Sequence, residues 1–261
     1  MRWAFWETTL AVCYGLHQTE QETSTGSGYN RRVRWTLFFL LLTPLAGCDS
    51  PAETRPEVVA GSVARPVDEP VAKFRVVMLG DSLTAGFGLS KGEAFPALVE
   101  AELGRRGWSV AVVNAGVSGD TTAGGRARLG WLLAQRPHVV VVALGANDGL
   151  RGLPVEEVSS NLREIVRASR EAGARVLLAG MRIPPNYGAD YADSFSAVYP
   201  FLAGQFDIAY MPFLLEGVGG RAELNLPDGI HPNAEGQQIV AATLVPYLED
   251  LLMQAMNEEA A

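Results

Sequence analysis

The sequence is poor in the residues that build metal centres and covalent cross-links. Two cysteines in 261 residues cannot make a disulfide framework or a thiolate zinc site, and three histidines leave little for a histidine metal cluster. The body of the chain has no block of Lys or Arg, and the formal net charge is −8, so the electrostatic footprint of a nucleic-acid partner is missing. No apolar run reaches the roughly 18–20 residues of a membrane-spanning helix. Three familiar signatures are absent as well. There is no Gly-x-Gly-x-x-Gly dinucleotide loop, no phosphate loop ending in Gly-Lys-Ser or Gly-Lys-Thr, and no Gly-x-Ser-x-Gly nucleophile elbow. Neither a metal nor an organic cofactor is expected. What remains, with 48% hydrophobic residues, is enough apolar material for one sizeable core.

The first fifty residues read as an address. Arg31-Arg32-Val33-Arg34-Trp35 is basic, 36–42 is mostly apolar, and Leu45-Ala46-Gly47 places small residues before Cys48. This is the layout of a secretory signal peptide, and the Leu-Ala-Gly-Cys string resembles a bacterial lipobox, whose cysteine is lipidated and becomes the new N-terminus. The expected organisation is a leader over 1–47, a lipidated Cys48 with a Pro-bearing polar linker over 48–70, and a folded domain over 71–261. Residues 1–30 add no second apolar run, which puts the expected translation start nearer Val33. A lipid-modified Cys48 would tether the domain to a bacterial envelope membrane, facing the periplasm. Asp49 behind it resembles an inner-membrane retention signal, a rule that varies between bacterial groups, so the membrane stays open.

From residue 74 onward, short β-branched runs alternate with amphipathic stretches. Strands are expected over 74–79, 109–114, 139–144, 175–181 and 207–210, and helices near 93–106, 123–136, 155–172, 191–205 and 234–253. Runs this continuous in Val, Ile and Leu are buried on both faces. The expectation is an α/β fold, a three-layer α/β/α sandwich with a five-stranded parallel sheet. Ligands in such sheets sit at the carboxyl ends of the strands, so the residues just after each strand matter most.

Four polar clusters fall at those ends: Gly80-Asp81-Ser82-Leu83, then 114–120 around Gly119, then Gly145-Ala146-Asn147-Asp148, and finally Asp228-Gly229-Ile230-His231. A hydroxyl nucleophile needs a base, a carboxylate to orient that base, and donors aimed at the developing oxyanion. His17 lies in the leader and His138 at the amino end of the third strand, which leaves His231 as the base. Asp228, three residues earlier, can accept from Nδ1 and turn Nε2 outward. Ser82, after a buried strand and a glycine, is either a helix N-cap or an exposed nucleophile; Gly-Asp-Ser alone does not decide. Asn147 and Gly119, taken singly, read equally well as turn residues.

Taken together and in order, Gly-Asp-Ser, Gly, Gly-x-Asn-Asp and Asp-x-x-His resemble the SGNH hydrolases, also called GDSL esterases and lipases. The likeness spans about 74–252 and is nearest to their periplasmic thioesterase, lysophospholipase and arylesterase branch. It is carried by the strings 79–86, 118–121, 145–152, 184–188 and 228–233. The resemblance implies a flavodoxin-like fold and Ser82 as nucleophile, with Asp228 and His231 completing a triad. It also implies an oxyanion hole from the Ser82 and Gly119 amides with Asn147. The reaction implied is acyl transfer from an ester or thioester.

Three loops are long enough to shape a pocket: 145–154, 181–192 and 211–228. Leu150, Leu153, Ile183, Pro184, Tyr187, Met211, Phe213 and Leu214 suit an apolar acyl or aryl group better than a sugar, with Leu150, Ile183, Pro184 and Tyr187 the expected substrate contacts. Gly149 and Gly152 flank Leu150 and Arg151, a spacing that allows the segment to move. Two alternatives stay open at this point: an O-acetylesterase of envelope glycans, and a noncatalytic binding lipoprotein of the same fold. The physiological ester and the oligomeric state are not legible.

Overall fold

A computed structural model describes residues 72–259. The leader, Cys48 and the linker over 48–70 lie outside the described residues. Five strands, β1 (Phe74–Gly80), β2 (Val110–Gly116), β3 (Val139–Ala143), β4 (Arg175–Ala179) and β5 (Ala209–Met211), form one parallel sheet in the order β2-β1-β3-β4-β5. Seven α-helices accompany them: α1 (Ser82–Ala85), α2 (Phe95–Arg105), α3 (Thr122–Leu133), α4 (Ala146–Leu150), α5 (Val155–Glu171), α6 (Ala189–Phe206) and α7 (Ala234–Glu259).

Central strands β1 and β3 carry the core. Val76, Val77, Met78 and Leu79, and every residue from Val139 to Ala143, are fully buried, which requires helices on both faces. Helix α2 packs against α7, while α5 packs against both α3 and α6. By length and composition α7 could cross a membrane, but Val240, Leu244, Val245, Leu248 and Leu252 are buried in the core. A helix of this kind serves the sheet it covers.

The chain leaves β1 toward β2 on one side and returns to β3 on the other. The β1/β3 boundary is therefore the topological switch point, where the strand ends open a crevice. Two glycines at the ends of β1 and β2 close the packing beside it. Gly80 pairs with Gly116 in register, and a Cβ at Gly116 would collide with the backbone of Ala85. Helix α1 can lie on the strand ends only because these side chains are absent.

Several boundaries differ from expectation for identifiable reasons. β1 and β2 run on through their terminal glycines, which serve close approach and not chain reversal. The segment 145–154, expected as loop, contains α4. Its Gly149 lies under Ile183 and Phe195, and its Asp148 is buried. β5 starts at Ala209 because Asp207 adopts a left-handed conformation that caps α6.

Candidate active site

Asp81 caps α1, its Oδ1 accepting the Leu83 N–H at 3.0 Å, and this sets Ser82 at the first helical position facing the crevice. Gln237 of α7 fastens the same turn from behind. Its side chain donates to the Leu83 carbonyl and accepts from the Phe95 N–H.

The histidine arrives on a separate loop, closed by the Leu226 N–H to the His231 carbonyl at 2.7 Å and the Asn233 N–H to the Leu224 carbonyl at 2.9 Å. Within it, Asp228 Oδ1 accepts the backbone N–H groups of Ile230 and His231, both at 3.0 Å, and Oδ2 lies 2.8 Å from His231 Nδ1. The other ring nitrogen, Nε2, lies 2.8 Å from Ser82 Oγ. The backbone donor from Ile230, then the imidazole and backbone of His231, hold the Asp228 carboxyl down to about 2, so it stays ionised beside the ring. The Phe87 ring covers the imidazole, with centroids 4.5 Å apart.

On the opposite wall, Gly119 has φ +80° in a turn closed by the Asp120 N–H to the Val117 carbonyl at 3.0 Å. That conformation at the third turn residue is the type II geometry that selects glycine. Among the described residues, the backbone N–H groups of Ser82 and Gly119 have no acceptor. Asn147 Nδ2 donates to the Asp120 carbonyl at 2.9 Å and more loosely to Asp81 Oδ2 at 3.3 Å. The longer bond is the one a developing oxyanion can draw away. Asp81 is fully buried, and desolvation pushes its carboxyl up to about 6 against the hydrogen bonds that favour its charge.

Beneath Asn147, the buried Asp148 accepts from the Thr122 N–H at 2.9 Å and the Thr122 hydroxyl at 2.6 Å, tying α4 to the start of α3. Arg151 donates to the Gly119 carbonyl at 2.9 Å. Asp148 and Arg151 fall within the string 145–152, where the sequence reading assigned neither a role, and Thr122 lies outside every such string. Among the described residues, no His, Cys, Asp and Glu cluster has the arrangement of a metal site.

The crevice is a cleft of about 550 Å³. Ser82, Gly119, Asn147 and His231 all line it, and its apolar walls include Leu150, Ile183, Pro184, Phe213 and Leu215. Arg182 lies over the Phe213 ring, 4.9 Å from its centroid, and is the single Lys or Arg in the lining. Of the expected substrate contacts, Tyr187 is not in the lining. Its hydroxyl donates to the Leu150 carbonyl at 3.0 Å and so braces α4. Met211 and Leu214 are buried in the core, and Leu153 is also outside the lining. Phe87 and Ile230 line the cleft and were not singled out by the sequence; Ile230 directly precedes His231, a signal that could have found it, whereas Phe87 has no site residue beside it in the chain.

Residues 78–239 match the GDSL-like Lipase/Acylhydrolase family. The chain is 44% identical over 178 residues to Esterase TesA of Pseudomonas aeruginosa, covering 68% of this chain and 89% of that protein. It is 37% identical over 225 residues to thioesterase 1/protease 1/lysophospholipase L1 of Escherichia coli strain K12, covering 86% and 97%. The crystal structure of TesA superposes with a TM-score of 0.66 at 43% identity, over 68% of this chain and 99% of that one.

Proposed function

The chain belongs to the GDSL-like lipase and acylhydrolase family, and from that premise we propose that it is a serine carboxylic ester hydrolase working through Ser82, His231 and Asp228. The observation that carries this reading is the unbroken line from Asp228 Oδ2 to His231 Nδ1 and from Nε2 to Ser82 Oγ, each step 2.8 Å. His231 takes the Ser82 proton as Oγ attacks the acyl carbonyl. The ionised Asp228 fixes the ring tautomer and stabilises the imidazolium that forms. The tetrahedral oxyanion is received by the Ser82 and Gly119 amides and by Asn147. His231 then returns its proton to the leaving group, and water cleaves the acyl-enzyme by the same route.

The apolar walls from Leu150 to Leu215 favour acyl or aryl groups over acetylated sugar, and the substrates proposed are medium-chain esters, lysophospholipids and acyl thioesters. Leu150, Ile183 and Pro184 are assigned to the acyl group. We further propose lipidation at Cys48 and a periplasm-facing position at the cell envelope, supported by the basic, apolar and small-residue order before Cys48.

Activity on p-nitrophenyl esters from acetate to laurate, compared between wild type and Ser82→Ala, tests the chemistry. Medium-chain turnover lost only in the variant supports it; sharp acetate preference points to glycan deacetylation, and no turnover in either protein to a binding role. Labelling with a radioactive fatty acid, lost in Cys48→Ala, tests the anchor.

A further inference from the structure

Three donors converge on one oxygen only if three separate strand ends keep their spacing. Ser82 follows β1, Gly119 follows β2 and Asn147 follows β3. The ladder fixes positions only as far as Gly80, Gly116 and Ala143, and the donors lie two, three and four residues beyond. Something past the sheet must hold them to one another.

Arg128, two turns into α3, is placed to do so. Its Nε donates to Asp120 Oδ2 at 2.7 Å and its Nη2 to the Gly80 carbonyl at 2.9 Å. That carbonyl also accepts the Val117 N–H at 3.1 Å and belongs to the peptide leading into Asp81, one residue before Ser82. Asp120 in turn gives its own carbonyl to Asn147 Nδ2. A continuous line of hydrogen bonds thus joins the turn after β1, the loop after β2 and the amide after β3. The ion pair is sheltered, with Arg128 and Asp120 side chains 25% and 11% exposed. A guanidinium presents its donors in a rigid fork and can meet a carboxylate and a carbonyl at once, which a lysine ammonium on a flexible stem does not reproduce.

We propose that Arg128 is a positioning residue for the oxyanion hole, setting the spacing of the Ser82 amide, the Gly119 amide and Asn147 through Asp120 and the Gly80 carbonyl. It is not part of the cleft lining and acts on the reaction only through these groups. The inference rests on the serine hydrolase reading of the site. Loss of the guanidinium leaves the start of α3 moored by Thr122 on Asp148, so the fold has an independent hold.

The test compares full-length wild type with Arg128→Gln, Arg128→Lys and Asp120→Asn on one p-nitrophenyl ester, measuring kcat and KM separately. An alkylboronic acid, which adds to the serine hydroxyl as a tetrahedral adduct, provides a second readout. A displacement of about 1 Å at a catalytic group costs up to ~10²-fold, so Arg128→Gln should lose ~10- to 100-fold in kcat with KM within about twofold. Boronate affinity should fall in step with kcat/KM, with Arg128→Lys intermediate. Wild-type kcat and boronate affinity in a variant that differs only in melting temperature would overturn the proposal. Should Arg128→Gln fail to fold, Arg128→Lys and Asp120→Asn decide by the same criterion. A wild type whose turnover is not removed by Ser82→Ala sinks the reading of the site itself, an outcome distinct from an active enzyme indifferent to Arg128.

Discussion

The two walls of the cleft are built by different means. The His231 wall is local: Asp228 orients the ring from three residues away, within one short loop, on a surface where its carboxylate is partly exposed. The Ser82, Gly119 and Asn147 wall is assembled from three strand ends by buried or half-buried contacts between residues 26 to 66 apart. Proton transfer tolerates a loop as its platform because one hydrogen bond at each ring nitrogen fixes the imidazole. Charge stabilisation needs several dipoles fixed relative to one another before the charge appears, and the donors proposed for it stand just past three strand ends, tied to one another by these contacts.

This contrast can be broken from either side. Removing the base is the harshest test. His231→Ala should lower kcat by ~10⁶-fold, and adding Ser82→Ala should cost little more, because triad members act as a unit. Additive losses in single- and double-mutant kinetics would separate the two residues. Asp228→Asn keeps the loop's shape but offers the ring a donor in place of an acceptor. A loss on the order of 10⁴ in kcat is expected, and near-normal turnover would remove Asp228 from the triad. On the other wall, Asn147→Ala takes one donor of three and should cost about 10² to 10³ in kcat with the fold retained by circular dichroism.

The smallest effect distinguishes the walls by pH. Asp81, raised by burial to about 6, binds its proton more tightly folded than unfolded. Its contribution to stability is therefore greatest below the ordinary aspartate value near 3.8 and is lost as pH rises through 6. Asp228, lowered to about 2, works in the opposite sense, its contribution present above 3.8 and lost as pH falls toward 2. Urea midpoints from pH 4 to 7 should fall with rising pH in wild type and flatten in Asp81→Asn. A slope unchanged by that substitution would show that Asp81 is not the titrating group.

Legibility in the sequence follows the same division. The Asp228–His231 unit could be read because its geometry is a turn and its partners are three residues apart. The parallel sheet could be read because Val76–Leu79 and Val139–Ala143 are apolar without alternation. Most supports of the other wall could not, although Asp148 stands inside the Gly-x-Asn-Asp string. Arg128 is eight residues from Asp120 and forty-eight from Gly80, and nothing along the chain distinguishes it from the neighbouring Arg126. Helix α4 was hidden by Gly145, Gly149 and Gly152, since what stabilises those five residues is Thr122 on Asp148 and the packing of Gly149 under Ile183 and Phe195. Tyr187 misled for a related reason: an aromatic in a cleft-side loop has a hydroxyl, and here the hydroxyl found a carbonyl to brace.

The Gln237 bridge links the two ends of the folded domain, from α7 to the turn that carries Ser82, and His231 meets Ser82 across 149 residues of sequence. During synthesis, the strands and the nucleophile turn emerge long before the residues that would activate them. A nascent or C-terminally clipped chain that ends before residue 231 carries the nucleophile turn without the base proposed for it. The proposed chemistry therefore joins the turn after the first strand to the C-terminal part of the chain, and activity requires both to be in place.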